Sequence, residues 1–291
     1  MSRKPTATSK RAQGMIKRRL KNGVIQDSDR RYLLQRLNIS TEDLLLKTMD
    51  VAKKLASPET SGYQVGAAAL GGSGNIYAGV NIEFKYLDVS QTIHAEQCAV
   101  INAYHEGEAT LQMLAVSAAP CGYCRQFLYE INGKSPLQIL LKGQPKTPLS
   151  HFLPSPFGPQ NLGVQGGLLT PRSHGLSCLH STGSNPMSAM AVNWANKSYA
   201  PYTSAFAGVA LMLADGHVLG GAYLENAAFN PSLSPIKTAL CRLLISVRSL
   251  DDIRAIYVAQ AATSKINHIN AVEHIAHCLP GVVPVQYELL S

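Results

Sequence analysis

The chain has 291 residues, 46% of them hydrophobic and 15% charged, a balance that excludes a disordered chain and supplies ample apolar material for buried cores. The net charge of +8 is local: residues 1–25 hold eight basic side chains and no acid, so the remainder is neutral by subtraction. No run of eighteen apolar residues offers a membrane-spanning helix, and the first residues lack the apolar core of a secretory signal.

A basic start of this kind suits a solvated tail or contact with an anionic partner. Its acid-poor, Ser/Thr-containing composition also resembles an organellar transit peptide. Residues 27–54 then read as two helices. The first follows Asp27 and Asp29 and carries Leu33, Leu34 and Leu37; the second starts at Ser40-Thr41-Glu42-Asp43 and carries Leu44, Leu45 and Met49. Ser57-Pro58 breaks the pattern. Residues 65–70 and 76–80, on either side of a glycine turn, predict a hairpin. After a loop over 81–93 come a helix from His94, a strand over 114–118, a helix from Cys121 and a strand over 137–141. Such alternation predicts an α/β architecture, a mixed sheet flanked by helices.

Gly, Pro and Ser dominate residues 143–185, which read as a linker. Beyond it the pattern recurs. Residues 204–211 match 62–69 in type, 220–225 parallel 78–83, and 256–262 parallel 114–120, a period of about 140 residues. The expected organisation is a basic, helical N-terminal segment (1–39), a first domain (40–160), a linker (161–186) and a second copy (187–291).

Two stretches carry chemistry. His94-Ala95-Glu96 offers an imidazole and a carboxylate two residues apart, and Pro120-Cys121-Gly122-Tyr123-Cys124 offers two thiols at a spacing that lets one turn grip one metal ion. His94, Cys121 and Cys124 make three ligands with a fourth tetrahedral position open, as a catalytic zinc requires. Both motifs open helices, whose positive dipole ends favour thiolate. Glu96 is set to reach the water rather than the metal and to act as general acid and base. Arg125 either donates to a thiolate or serves as a surface or packing residue. Six scattered cysteines make no disulfide framework, and a Cys-x-x-Cys pair that binds metal must stay reduced, which argues for an intracellular compartment; the cytoplasm is expected, with organellar targeting by the basic start as the alternative.

The second copy lacks these groups. Lys237-Thr238-Ala239 is read opposite His94-Ala95-Glu96, and Ala262-Thr263-Ser264-Lys265-Ile266 opposite the cysteine loop. One zinc per chain is expected, held by the first copy.

The His-x-Glu and Pro-Cys-x-x-Cys pair is the signature of zinc deaminases acting on nucleobases. Together with Val80-Asn81-Ile82-Glu83-Phe84, Ser117-Ala118-Ala119-Pro120 and Leu153-Pro154-Ser155-Pro156-Phe157-Gly158-Pro159, it makes the chain resemble the homodimeric, two-repeat cytidine deaminases of enteric bacteria and plants. The resemblance implies two tandem α/β/α sandwich domains, the second degenerate. It also implies hydrolytic deamination of cytidine and 2′-deoxycytidine in pyrimidine salvage, with Glu96 as the catalytic residue. Asn81, Ile82 and Glu83 would line the sugar site, Tyr63 would stand where the family has a Phe against the base, and the Ala95 and Ala119 backbones would read the pyrimidine. Phe157 would enter from the partner subunit of a homodimer. A carboxylate at Glu83 suits a free sugar and meets a phosphate badly, which disfavours deoxycytidylate and bases within nucleic acid; no nucleic-acid or membrane partner is expected. A structural zinc would need a fourth protein ligand, and the sequence offers none nearby.

Overall fold

The chain, described as a computed structural model over residues 7–131, 136–179 and 185–291, folds into two units. Arg3 and Lys4 of the basic start, and residues 180–184 of the expected linker, lie outside the described residues. The first unit is built from residues 7–83, 92–128 and 136–154, the second from 84–91, 129–131, 155–179 and 185–291. Among the described residues no helix is long and apolar enough to cross a membrane.

In the first unit the elements are α1 (Ala7–Arg19), β1 (Val24–Ile25), α2 (Asp27–Leu37), α3 (Thr41–Ala52), β2 (Ser57–Pro58), β3 (Gly66–Gly71), β4 (Ile76–Val80), β5 (Ile82–Glu83), α4 (Ala95–His105), β6 (Leu111–Val116), α5 (Gly122–Tyr129), β7 (Gln138–Leu141), β8 (Thr147–Pro148) and α6 (Leu149–Phe152). The basic start differs from a solvated tail. Ala12, Met15 and Ile16 recur at helical spacing and are buried, so α1 packs on α3 while Lys10, Arg11, Lys17 and Arg18 face outward. Val24 and Ile25 then pair with Tyr77 and Ile76 as an edge strand.

A capping box starts α3: Ser40 Oγ accepts from Asp43 N at 3.0 Å, and the Asp43 carboxylate accepts from Ser40. The main sheet runs β1-β4-β3-β6-β7-β8, antiparallel except for the β6/β7 pair. Two glycines place its helices. A Cβ on Gly66 would strike the α3 backbone at Met49 O (2.6 Å), and one on Gly79 would strike the α4 backbone at Ala95 O and Ala99 N. Gly66 pairs with Val80 and Ala67 with Gly79, so the two glycines belong to opposite faces of the sheet. Helices α3 and α4 therefore cover opposite faces, which is the α/β/α sandwich expected from the sequence.

The second unit contains α7 (Pro186–Lys197), β9 (Ala207–Leu213), β10 (Val218–Ala222), α8 (Pro235–Ile245), β11 (Ile253–Ala261), α9 (His268–Ala276) and β12 (Val285–Leu290). Its sheet runs β10-β9-β11-β12 with β11 and β12 parallel. Gly208 faces the α7 backbone and Gly221 the α8 backbone, and their strand positions again alternate. The described part of the expected linker is no free tether: Leu168 and Leu169 are buried, and Leu168 N donates to Glu130 O at 2.9 Å.

Candidate metal and catalytic site

Ile93 exchanges two hydrogen bonds of 2.9 Å with Ile82, ending its extended path there. His94 is consequently the N-cap of α4, with φ −81° and ψ 156°. Its backbone N–H donates to Gln97 Oε1 at 2.9 Å. The imidazole lies against the start of α5, with Nδ1 3.7 Å from Cys121 Sγ and the ring stacked on Tyr123 at 5.8 Å between centroids.

A ring nitrogen of His94 and the sulfurs of Cys121 and Cys124 all lie within 4.8 Å of one another, and among the described residues they form the one such group of ligand types. Zinc bonds of about 2.0–2.3 Å in a tetrahedron space neighbouring ligand atoms about 3.5–3.8 Å apart, so this set fits the metal with little adjustment. The donor chemistry agrees. Cys121 is held down to about 5, first by its hydrogen bond with the Cys124 thiol and further by the Cys124 and Tyr123 N–H groups and the nearby His94. Its partner Cys124 is pushed up by that same bond and by burial. Gln97, fully buried in this ligand-bearing helix start, has an Nε2 with no hydrogen-bond partner among the described residues.

Glu96 occupies the first turn of α4, is 4% exposed, and its carboxyl is raised above the usual range, chiefly by burial. It stands outside the ligand group. A buried carboxyl raised above the ordinary carboxylate range, next to a set of metal-ligand side chains, is the kind of group that serves as general acid and base.

The sugar-site candidates are already bonded within the fold. Asn81 Oδ1 accepts from Val65 N at 2.7 Å and its Nδ2 donates to Tyr63 O at 2.9 Å, so the amide pins the loop entering β3. Glu83 accepts from Thr60 N (2.9 Å), Ser61 N (2.7 Å) and Ser61 Oγ (2.6 Å). Burial pushes its carboxyl up, but those bonds outweigh the effect and hold it below the usual range. The Ile82 side chain is core, at 1% exposed, and contributes through its backbone pairing with Ile93. Tyr63 is 61% exposed, Ala95 is buried and Ala119 is exposed. Phe157 belongs to the second unit and is 47% exposed.

Two contributors escaped the sequence reading: the Thr60-Ser61 turn, which holds Glu83, and Tyr123, which stacks on His94. Arg125, read as a thiolate donor or a surface or packing residue, bonds to backbone instead: its Nε donates to Pro120 O at 2.7 Å and its Nη1 to Phe152 O at 3.0 Å. Only the Ser-Gly turn at Ser61-Gly62 left a local signal.

The second copy repeats the carboxylate clamp, with Glu225 accepting from Tyr202 N (2.8 Å), Thr203 N (3.3 Å) and Thr203 Oγ1 (2.6 Å). Its register needs two corrections. Leu224 bridges Leu233 as Ile82 bridges Ile93, and Gly221 faces Pro235 O and Ala239 N as Gly79 faces Ala95 O and Ala99 N. Ser234-Pro235-Ile236 therefore stands opposite His94-Ala95-Glu96, three residues before the expected Lys237-Thr238-Ala239. At the cysteine loop the expected Ala262–Ile266 is displaced as well: β11 and β12 make Val285 the counterpart of Ile139, and α9 starts at His268 as α5 starts at Gly122, so Asn267 and Asn270 stand opposite Cys121 and Cys124. Ser234, Ile236 and two asparagines in place of His94, Glu96 and the two cysteines leave this copy without the ligand set.

A family model described as the cytidine and deoxycytidylate deaminase zinc-binding region matches residues 40–136, and a second of the same description matches 149–273. A cytidine deaminase of Vibrio cholerae is 36% identical over 255 residues, covering 88% of this chain and 85% of the relative. One from Yersinia pestis is 42% identical over 220 residues, covering 75% and 74%. A solved cytidine deaminase from Mycobacterium tuberculosis aligns at 31% identity over 41% of this chain and 99% of its own, with a TM-score of 0.37.

Proposed function

The chain belongs to the zinc-binding cytidine and deoxycytidylate deaminase family, and from that premise we propose that it hydrolyses free cytidine and 2′-deoxycytidine to the uridines and ammonia, a pyrimidine salvage reaction. One observation carries the reading: three ligands of zinc type converge at two helix starts, and a buried carboxyl of raised pKa follows two residues after the histidine.

His94, Cys121 and Cys124 hold the zinc, which, when bound, supplies the Lewis acidity that brings a water near ionisation at neutral pH. Glu96 accepts a proton from the attacking water and passes it to the ring nitrogen as the oxygen bonds to C4, then takes the proton of the new C4 hydroxyl and delivers it to the amine as the C4–N bond breaks. Burial raises this carboxyl above the ordinary carboxylate range, which favours its taking up a proton. The Ala95 and Ala119 backbones read the pyrimidine edge. Glu83, with three of its acceptor positions used by the Thr60-Ser61 turn, offers the remaining one to a sugar hydroxyl. Asn81 sets the loop that carries Tyr63, which packs against the base. A carboxylate at the sugar site supports a nucleoside over a nucleotide or a nucleic acid. We further propose a homodimer in the cytoplasm, with Phe157 serving the partner's site; the exposure of Tyr86, Val89, Phe157, Leu162 and Phe229 in the second unit supports an interface there.

The test combines zinc analysis with nucleoside turnover. About one zinc per chain and release of ammonia from free cytidine are expected, and Glu96→Ala should retain the metal while losing turnover by about 10²–10⁴-fold. Zinc-loaded protein that leaves cytidine intact but deaminates single-stranded DNA or RNA would sink the reading, and metal loss in Glu96→Ala comparable to that in Cys121→Ala would make Glu96 a ligand.

A further inference from the structure

Arg125 stands directly after the ligand Cys124, yet its guanidinium is committed to backbone. Nε donates to Pro120 O at 2.7 Å and Nη1 to Phe152 O at 3.0 Å, while its own N–H closes the first turn of α5 on Cys121 O at 3.0 Å. The planar fork reaches two carbonyls at once, which the single ammonium of a lysine cannot do in the same geometry.

The carbonyl it holds is decisive for the loop. Between the Ala119 carbonyl and the Cys121 Cα, the peptide planes are rigid and the pyrrolidine ring sets Pro120 φ near −65°. One soft torsion is left, ψ of Pro120, and the position of Pro120 O reports it. By holding that oxygen, Arg125 holds the angle between the Ala119 peptide and the ligand Cys121.

The second copy serves as an internal control. Its carboxylate clamp survives at Glu225, so that device belongs to the fold. The strap does not survive: Ala271 stands opposite Arg125, and at the place of Cys121 the Asn267 side chain caps α9 by accepting from Ile269 N at 3.0 Å and Asn270 N at 3.3 Å. The arginine and the ligands are absent together.

We propose that Arg125 is a positioning residue of the site, fixing Pro120 so that Cys121 meets the metal and the Ala119 peptide meets the pyrimidine. The substrate half rests on the deaminase reading, whereas the metal half does not.

Full-length Arg125→Ala and Arg125→Lys are compared with wild type by competition for zinc against a chromophoric chelator, by KM and kcat on cytidine, and by thermal melting, with Asn267→Ala as the second-copy control. Arg125→Ala should weaken zinc binding about 10–100-fold, the range for lost outer-sphere support, and should lower kcat/KM beyond what metal loss explains when zinc is saturating. Arg125→Lys should recover only part, and Asn267→Ala should lower the melting temperature alone. A folded Arg125→Ala with wild-type zinc affinity and kcat/KM overturns the proposal. If the alanine variant does not fold, the lysine variant decides, because full affinity and full kcat/KM there mean the fork is unnecessary. Wild-type protein that binds zinc but deaminates no nucleoside removes the deaminase reading and leaves the zinc comparison standing.

Discussion

Gly79→Ala probes the placement of the helix that bears Glu96. An added Cβ would lie 2.8 Å from Ala99 Cβ and closer still to Ala95 O and Ala99 N, all on α4. Ordinary contact distances of about 3.5 Å or more require α4 to move away from β4 by on the order of 1 Å. Two of the three clashing atoms are backbone, so no rotamer change relieves them. Overpacking of this kind costs about 1–3 kcal/mol, and a rigid backbone clash belongs at the upper end. For a domain pair of this size, 2–3 kcal/mol lowers the melting temperature by roughly 4–12 °C. Because α4 carries His94 at its cap and Glu96 in its first turn, the same shift misplaces the catalytic groups, and about 1 Å of misplacement costs roughly 10²-fold in turnover. Gly221→Ala makes the equivalent clash with α8, where Pro235 O would lie 2.6 Å away. It should destabilise to a similar degree while leaving the zinc affinity of the folded protein intact. Melting curves, chelator competition and kcat on saturating cytidine read all three effects. A Gly79→Ala protein that melts within about 1 °C of wild type and turns over normally refutes the argument, because the strand-to-helix approach would then be compliant.

Two further perturbations follow from the copies. Glu83→Gln replaces an acceptor of three donors with an amide and should lower kcat/KM for cytidine about 10–150-fold, the equivalent of 1.5–3 kcal/mol for a charged hydrogen bond, through KM with zinc retained. Glu225→Gln, in the empty copy, should change melting temperature and leave KM untouched; equal effects on KM would deny Glu83 a substrate role. Lys237 is 6% exposed with Nζ donating to Ser90 O at 3.3 Å, and burial pushes it down to about 8 from an ordinary 10.5. Between those values the folded chain has released a proton that the unfolded chain still binds, so stability rises with pH across about pH 8 to 10.5, by at most roughly 3 kcal/mol. Lys237→Met should be more stable at pH 7 and should lose that rise; denaturation midpoints showing parallel profiles for the two proteins would count against a buried, destabilising lysine.

Much of the core was legible in the sequence because its signals are local. The β3/β4 hairpin announces itself through apolar runs around a glycine turn, and α4, β6, α5 and β7 follow at or near the residues their patterns indicate. Zinc ligation also demands particular side chains at short spacing, so His94, Cys121, Cys124 and Glu96 could be named from residue types alone. The basic start misled because its charge conceals three apolar residues, Ala12, Met15 and Ile16, that make α1 a packed helix. The repeat register slipped by three at α8 because residue types alone do not align Ser234-Pro235-Ile236 with His94-Ala95-Glu96; the close approach of Gly221 to that helix does.

Residue types alone point to the proposed chemistry: which atoms suit a metal, which carboxylate suits proton transfer, and which copy lacks both. Tertiary structure decided how those groups are held. The turn that grips Glu83 lies 22 residues before it, and the second carbonyl held by Arg125 lies 27 residues beyond it. Neither contact has a period or a spacing rule, because a side chain that bonds to distant backbone depends on how two segments meet in space rather than on its neighbours in the chain. The two copies separate these roles. Both hold a carboxylate on a turn, and the first adds to that common frame the ligands, Glu96 and the arginine strap.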